Sequence, residues 1–211
     1  MLVILFHPCI FTDAKGNRVM KAYPLLGLFS IIFITLLSNT APFQPSDRAA
    51  ESAAGVNWLT WEEADKRSGS EKRKFMVDLY TDWCGWCKKM DAATYEKGYI
   101  SEFINDHYYP VKFNAEMKED IVFKGKTYSF VSSGQRGYHA LAAEITKGRL
   151  GYPTVVFLDE NMEVIQAISG FRGPDEFERI LQYFAQDYHK KMSWEKFQQS
   201  YGQSVPAIDK D

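Results

Sequence analysis

Cysteine is scarce. The 211 residues contain three, too few to staple a small scaffold, so any sulfur chemistry must come from one local arrangement. An excess of one charge is also missing. Lysine and arginine number 25 against 27 aspartates and glutamates, a net charge of −2 with no block of like residues, which leaves no basic stripe for nucleic acid. No apolar run reaches the roughly 20 residues of a membrane-spanning helix, and there is no internal repeat. With 45% hydrophobic and 25% charged residues, the composition is globular and excludes a disordered or multispanning chain. The length suits one domain of ordinary size with a tail or two.

Near the N-terminus, Lys15, Arg18 and Lys21 precede a nearly charge-free run, Ala22 to Leu37, densest from Leu25 to Leu37. Basic residues before a short apolar run read as an export signal. Met20 is a more natural start for it than Met1. The following Ser38-Asn39-Thr40-Ala41-Pro42 lacks a clean small-x-small cleavage site, so both a removed signal and a retained anchor remain open. Residues 1–41 are therefore assigned to a signal or anchor, and 42–56, rich in Ala, Ser and Pro, to a flexible tether. Export removes Cys9 if the signal is cleaved, leaving Cys84 and Cys87 in a compartment where thiols are oxidised. The periplasm or cell envelope is the expected location.

Further on, Thr60-Trp61-Glu62-Glu63 is a capping box that opens a helix to about Lys66. Phe75 to Tyr80 has the length and apolarity of a strand buried on both faces, with Asp78 as its odd residue. A helix is expected after Cys84, another from Tyr99 to Asp106, and a strand at Tyr109 to Phe113. Residues 121–123 and 127–130 flank Lys124-Gly125-Lys126 as a small hairpin. Gly134 to Gly137 reads as a loop, and Tyr138 to Lys147 as a helix stopped by Gly148. Thr154–Leu158 and Val164–Ser169 form an antiparallel pair, and Pro174 opens a last helix to about His189. The class is α/β, with a mixed sheet and helices on both faces. Residues 191–211 read as a polar, loosely docked tail.

The chemistry concentrates in Asp82-Trp83-Cys84-Gly85-Trp86-Cys87-Lys88. Two cysteines three apart at a helix start lie about one turn apart on one face, within disulfide range. Cys84 is expected to face solvent, where free amides at the helix start stabilise its thiolate. It is the candidate nucleophile, and Cys87, a turn deeper, the resolving thiol. Asp78 in its apolar strand should have a raised pKa and could act as a base. Trp83 and Trp86 are either packing residues or an apolar docking surface. A structural zinc needs four ligands, and neither a second cysteine pair nor the scattered His107, His139 and His189, read as surface residues, supplies them. No metal and no cofactor beyond the dithiol are expected.

This pattern resembles the thioredoxin superfamily from about Trp58 to Tyr188, on Phe75 to Tyr80, on Trp83-Cys84-Gly85-Trp86-Cys87-Lys88, and on Gly151-Tyr152-Pro153-Thr154 before a core strand. It is most similar to exported bacterial members, akin to soluble domains of periplasmic thiol-disulfide interchange proteins. The resemblance implies a three-layer thioredoxin-like sandwich at residues 57–190. It makes Asp78 the buried group that moves a proton for the resolving thiol, Lys112 its neighbour, and Pro153 a cis-proline that holds the substrate chain with Tyr152. Lys112 is otherwise a strand-end lysine with its head in water. Trp83, Gly85 and Trp86 would shape the site. Trp86 replaces the usual proline, Tyr152 is bulkier than usual, and residues 117–148 form a longer connection whose hairpin could cover the site. The implied activity is disulfide exchange with protein substrates, as a reductase fed by an upstream redox partner. An oxidase or isomerase of the same fold and a non-redox binding module are the alternatives. No dimerisation segment is visible, so a monomer is expected.

Overall fold

The computed structural model describes residues 55–134 and 136–210. The signal segment at 1–41 and all but the last two residues of the tether lie outside them. No helix among the described residues is long and apolar enough to cross a membrane.

Helix α1 (Trp61–Ser68) starts where the sequence places it. Thr60 accepts the Glu63 amide, and the Glu63 carboxylate accepts the Thr60 amide at 2.9 Å, closing the capping box. Strand β1 (Lys74–Tyr80) follows, then α2 (Gly85–Met90), which continues as a single π-turn (Asp91–Tyr95). Next come α3 (Gly98–His107) and β2 (Tyr108–Asn114). A polar segment then carries two hairpins, β3 (Ile121–Phe123) with β4 (Lys126–Tyr128), and β5 (Phe130–Ser133) with β6 (Arg136–His139). The chain closes with α4 (Ala140–Ile145), β7 (Thr154–Leu158), β8 (Val164–Ser169), α5 (Pro174–Ala185) and α6 (Trp194–Ser200).

The central sheet has the order β2-β1-β7-β8. β1 is parallel to β2 and antiparallel to β7, and β7 is antiparallel to β8, so the sheet is mixed as expected. β1 is covered on both faces, and its side chains divide by the strand's period of two. Phe75, Val77 and Leu79 join a core with Trp61 and Ala64 of α1, Leu141 and Ile145 of α4, and Phe123 of the first hairpin. Met76 joins the opposite core with Met90, Ile100 and Ile104, and with Phe177, Leu181 and Phe184 of α5. Asp78 shares the parity of Met76 and therefore points to the face covered by α2.

Several expectations are corrected. The segment read as loop and helix start, 134–139, includes strand β6, so α4 begins only at Ala140. Tyr138 pairs with Val131 and His139 with Phe130. Gly137 permits that pairing, since a β-carbon there would lie 2.1 Å from Phe130 Cζ. His139, expected at the surface, is fully buried. Its Nδ1 accepts the Leu141 amide and caps α4, which leaves Nε2 to donate to the Glu119 carbonyl at 3.0 Å. α5 ends at Ala185 rather than near His189.

The expected loose tail is also docked. Phe197 is fully buried against Tyr183 and Tyr188, and Val205 is buried with it. The buried Glu178 of α5 accepts the Tyr201 hydroxyl and the Ile208 amide and pairs with Lys210. Polar residues between Trp194, Phe197 and Tyr201 hide an apolar stripe at helical spacing. Truncating Phe197 to alanine should therefore cost about 3 kcal/mol, read as a lower urea midpoint with unchanged m-value. The exposed Gln198→Ala should leave the midpoint in place.

Candidate active site

Thr81 follows β1, and its carbonyl accepts the Cys84 amide at 3.0 Å, turning the chain from the strand into α2. Cys84 is the N-cap of α2, and its Sγ accepts the Cys87 amide at 3.1 Å. The two cysteines form a disulfide with Cα atoms 5.3 Å apart. The expectation that Cys84 faces solvent is corrected, since both cysteines are buried, at 4% and 3% exposure. The residues around them are the exposed ones.

Trp83 and Trp86 are 52% and 57% exposed, and each immediately precedes one of the two cysteines. The Trp83 ring meets the edge of Tyr152 at 5.9 Å, its Nε1 donates to Glu116 at 3.0 Å, and the Arg136 guanidinium lies 4.4 Å above it. Trp86 packs on Phe171 at 5.7 Å, with the Lys89 ammonium over both rings. An indole is an apolar plate with one polar edge, so a half-exposed pair offers docking area at little cost in side-chain entropy. Gly85 opens α2, and a β-carbon there would meet nothing within 4 Å; packing does not demand glycine.

The Tyr152–Pro153 bond is cis. Pro153 is buried at the head of β7, and its carbonyl accepts the Gly170 amide at 2.8 Å, tying the loop to the end of β8. The Tyr152 contact with Trp83 brings this loop beside the cysteine turn.

Asp78 is buried, and Lys112, its register partner on β2, donates to Oδ2 at 2.6 Å. Lys112 also donates to Asp91 at 2.5 Å, so its head is not simply in water. Its ammonium lies among the rings of Trp58, Tyr80 and Tyr95, 4.9–5.4 Å from their centroids. Cys87 and Asp91 are one helical turn apart on the same face, and the Asp91 amide donates to the Cys87 carbonyl. The chain Asp78–Lys112–Asp91 thus links the sheet to the helix that carries the disulfide.

Burial raises the Asp78 pKa and outweighs the lowering by Lys112, while Asp91 adds to the rise. One ammonium serves two carboxylates, so it only partly offsets the burial of Asp78, and the Tyr95 hydroxyl lowers the pKa by a smaller amount. For Lys112, burial pulls the pKa down, but Asp78 and Asp91 carry it up overall. Burial and the nearby Asp78 and Asp91 charges raise the pKa of the Tyr95 hydroxyl, so it stays protonated at neutral pH. Among the described residues no cluster of three or more His, Cys, Asp or Glu is placed to hold a metal.

Residues 61–185 match the family model of the thioredoxin-like domain. The chain belongs to the thioredoxin-like family. Solved structures similar to it include the DsbH oxidoreductase, at 20% identity over 64% of this chain and 88% of that one with a TM-score of 0.47. A thioredoxin from Thermus thermophilus matches at 18% identity over 61% and 86% of the two chains, with a TM-score of 0.45. An uncharacterized protein of Caenorhabditis elegans is 20% identical over 118 residues, 48% of this chain, and the chain spans 16% of that relative's length.

In this thioredoxin-like domain, the sequence reading missed Asp91, Glu116, Arg136 and Phe171. Asp91 carried a usable signal in its spacing of four from Cys87; Glu116 and Arg136 carried none, because they reach Trp83 only through tertiary folding.

The raised Asp78 pKa yields a pH prediction. Between the usual aspartate range and the raised value the folded state holds a proton that the unfolded state releases. The stabilising contribution is therefore present at low pH and lost as pH rises through the folded value. Asp78→Asn should melt about 2–4 °C above wild type at pH 7.5, the shift of ~1 kcal/mol in a domain this size. Thermal denaturation should show the gap closing as pH falls towards 4. A lower melting temperature for the variant at pH 7.5 would mean that the Lys112 ion pair outweighs burial.

Proposed function

We propose that this protein is a thiol-disulfide oxidoreductase that reduces disulfides of protein substrates in the cell envelope. The observation that carries the reading is the Cys84–Cys87 disulfide at the start of α2, with the buried Asp78 tied through Lys112 to Asp91, one turn beyond Cys87. In the reduced protein, the Cys84 thiolate attacks one sulfur of a substrate disulfide. A mixed disulfide forms and one substrate thiolate leaves. Cys87 then loses its proton, with Asp78 as the acceptor, and its thiolate attacks the Cys84 sulfur. That step closes the Cys84–Cys87 disulfide and frees the second substrate thiolate. Two electrons pass from the dithiol to the substrate, so an upstream dithiol must return the protein to its reduced form.

The direction is argued from charge. Strong oxidants of this kind owe their potential to a stabilised reduced form. Here the hydrogen bond to Cys84 Sγ comes from one backbone amide. Lys89 lies over the Trp86 and Phe171 rings and, among the described residues, donates no hydrogen bond to either sulfur. Behind the cysteines, two carboxylates share one ammonium, and that local negative balance disfavours a thiolate. The envelope location rests on the apolar run Leu25 to Leu37 behind Lys15, Arg18 and Lys21.

Two measurements test the proposal. Titration of the purified protein against dithiothreitol, followed by tryptophan fluorescence, should give a potential nearer the about −270 mV of thioredoxin than the about −120 mV of a strong oxidant. A value near the latter would make it an oxidase, and the absence of a two-electron couple would leave a binding module. Cys87→Ser should trap substrates as mixed disulfides resolvable on a non-reducing gel, and Cys84→Ser should trap none.

A further inference from the structure

The second hairpin meets the site at one residue. Arg136, the first residue of β6, lies over Trp83, the neighbour of Cys84. Between this hairpin and the end of β2 is a cavity of about 350 Å³, lined by Asp82, Asn114, Glu116, Lys118, Phe130 and Arg136, among others. Its four charged residues sum to zero, but they are not equally engaged. Glu116 accepts the Trp83 indole and Asp82 accepts the Asn114 amide at 3.3 Å, so each carboxylate keeps its charge but has one oxygen turned to a neutral protein donor. Lys118 rests on the Phe130 ring and Arg136 on Trp83, and among the described residues neither forms an ion pair. Among the described residues the Arg136 guanidinium donates no hydrogen bond, so its fork of N–H groups is available to a planar anion. The donors left for a ligand are therefore cationic.

We infer that Arg136, with Lys118 behind it, forms an anion subsite beside the cysteine pair that takes an Asp or Glu side chain flanking the exchanged cysteine of a protein substrate. This rests on the disulfide-exchange reading and adds a substrate class to it. A peptide docked along Tyr152 and Pro153 with its sulfur at Cys84 passes the Trp83 indole, and Arg136 lies over that indole. The protein's overall charge is −2, so a preference for acidic peptides must arise locally. Exposed charges of this kind set encounter rate and partner choice more than final affinity.

The test uses two synthetic peptides that differ only in the residues on either side of one cysteine, Glu in the first and Lys in the second. Each carries its cysteine as a mixed disulfide with thionitrobenzoate. Reduced protein attacks the peptide sulfur and releases the coloured thiolate, which reports the second-order rate constant in one turnover. Wild type should react about fivefold faster with the Glu peptide at low salt, and the preference should fade at high salt. Arg136→Lys should keep the preference, and Arg136→Glu should reverse it. Equal rates for wild type, or a preference that survives Arg136→Glu, would overturn the anion subsite while leaving disulfide exchange intact. Reaction with neither peptide would overturn both. The salt series on wild type keeps the inference testable even if a variant fails to fold.

Discussion

Lys112 is the fixed point of this molecule. It sits on β2 in register with Asp78 of β1 and reaches across to Asp91 in the π-turn that continues the active-site helix. Parallel pairing of β1 and β2 supplies the register, and coverage of β1 on both faces removes water from the carboxylate. The helix then brings its own acidic residue to the same ammonium. Sheet, helix and cysteine pair are held in one electrostatic unit, and neither carboxylate can change charge without the other responding. Three aromatic rings around the ammonium supply cation–π attraction.

The fold was legible where local chemistry decides structure. Thr60 and Glu63 mark a helix start, Phe75 to Tyr80 mark a doubly covered strand, and Thr154 to Ser169 mark an antiparallel pair. The cysteine spacing and the proline before β7 located the site. What failed to show was tertiary. Tyr138 reads as the head of a helix, yet it pairs across a hairpin with Val131 because His139 supplies the cap for α4 one residue later. Phe197 sits among Glu, Lys and Gln, and only the groove left by α5 and its buried Glu178 reveals that the segment docks. Burial of Cys84 was equally invisible, because a short-range reading places the first cysteine at an open helix end.

The site divides its labour by depth. The sulfurs and Asp78 are shielded, whereas Trp83 and Trp86 project beside them. Exchange chemistry suits this arrangement, since a partner that covers the indoles brings its own sulfur to the disulfide and displaces water from both. Tyr152 narrows one side and Phe171 supports the other, so the approach is framed by rings on the two faces of the cysteine turn.

The second hairpin is an addition whose interior leaves almost no freedom. At Gly137 a single methyl group would collide with Phe130 Cζ and with the Val131 carbonyl, so glycine there and the ring across from it form a matched pair. The clash with the Val131 carbonyl is with backbone, so a smaller residue at 130 would not by itself admit a side chain at 137. The solvent-facing positions of β5 and β6, Arg136 among them, meet no such obstacle. The hairpin therefore joins a backbone pinned at one glycine to a rim whose side chains can be exchanged without repacking what lies beneath.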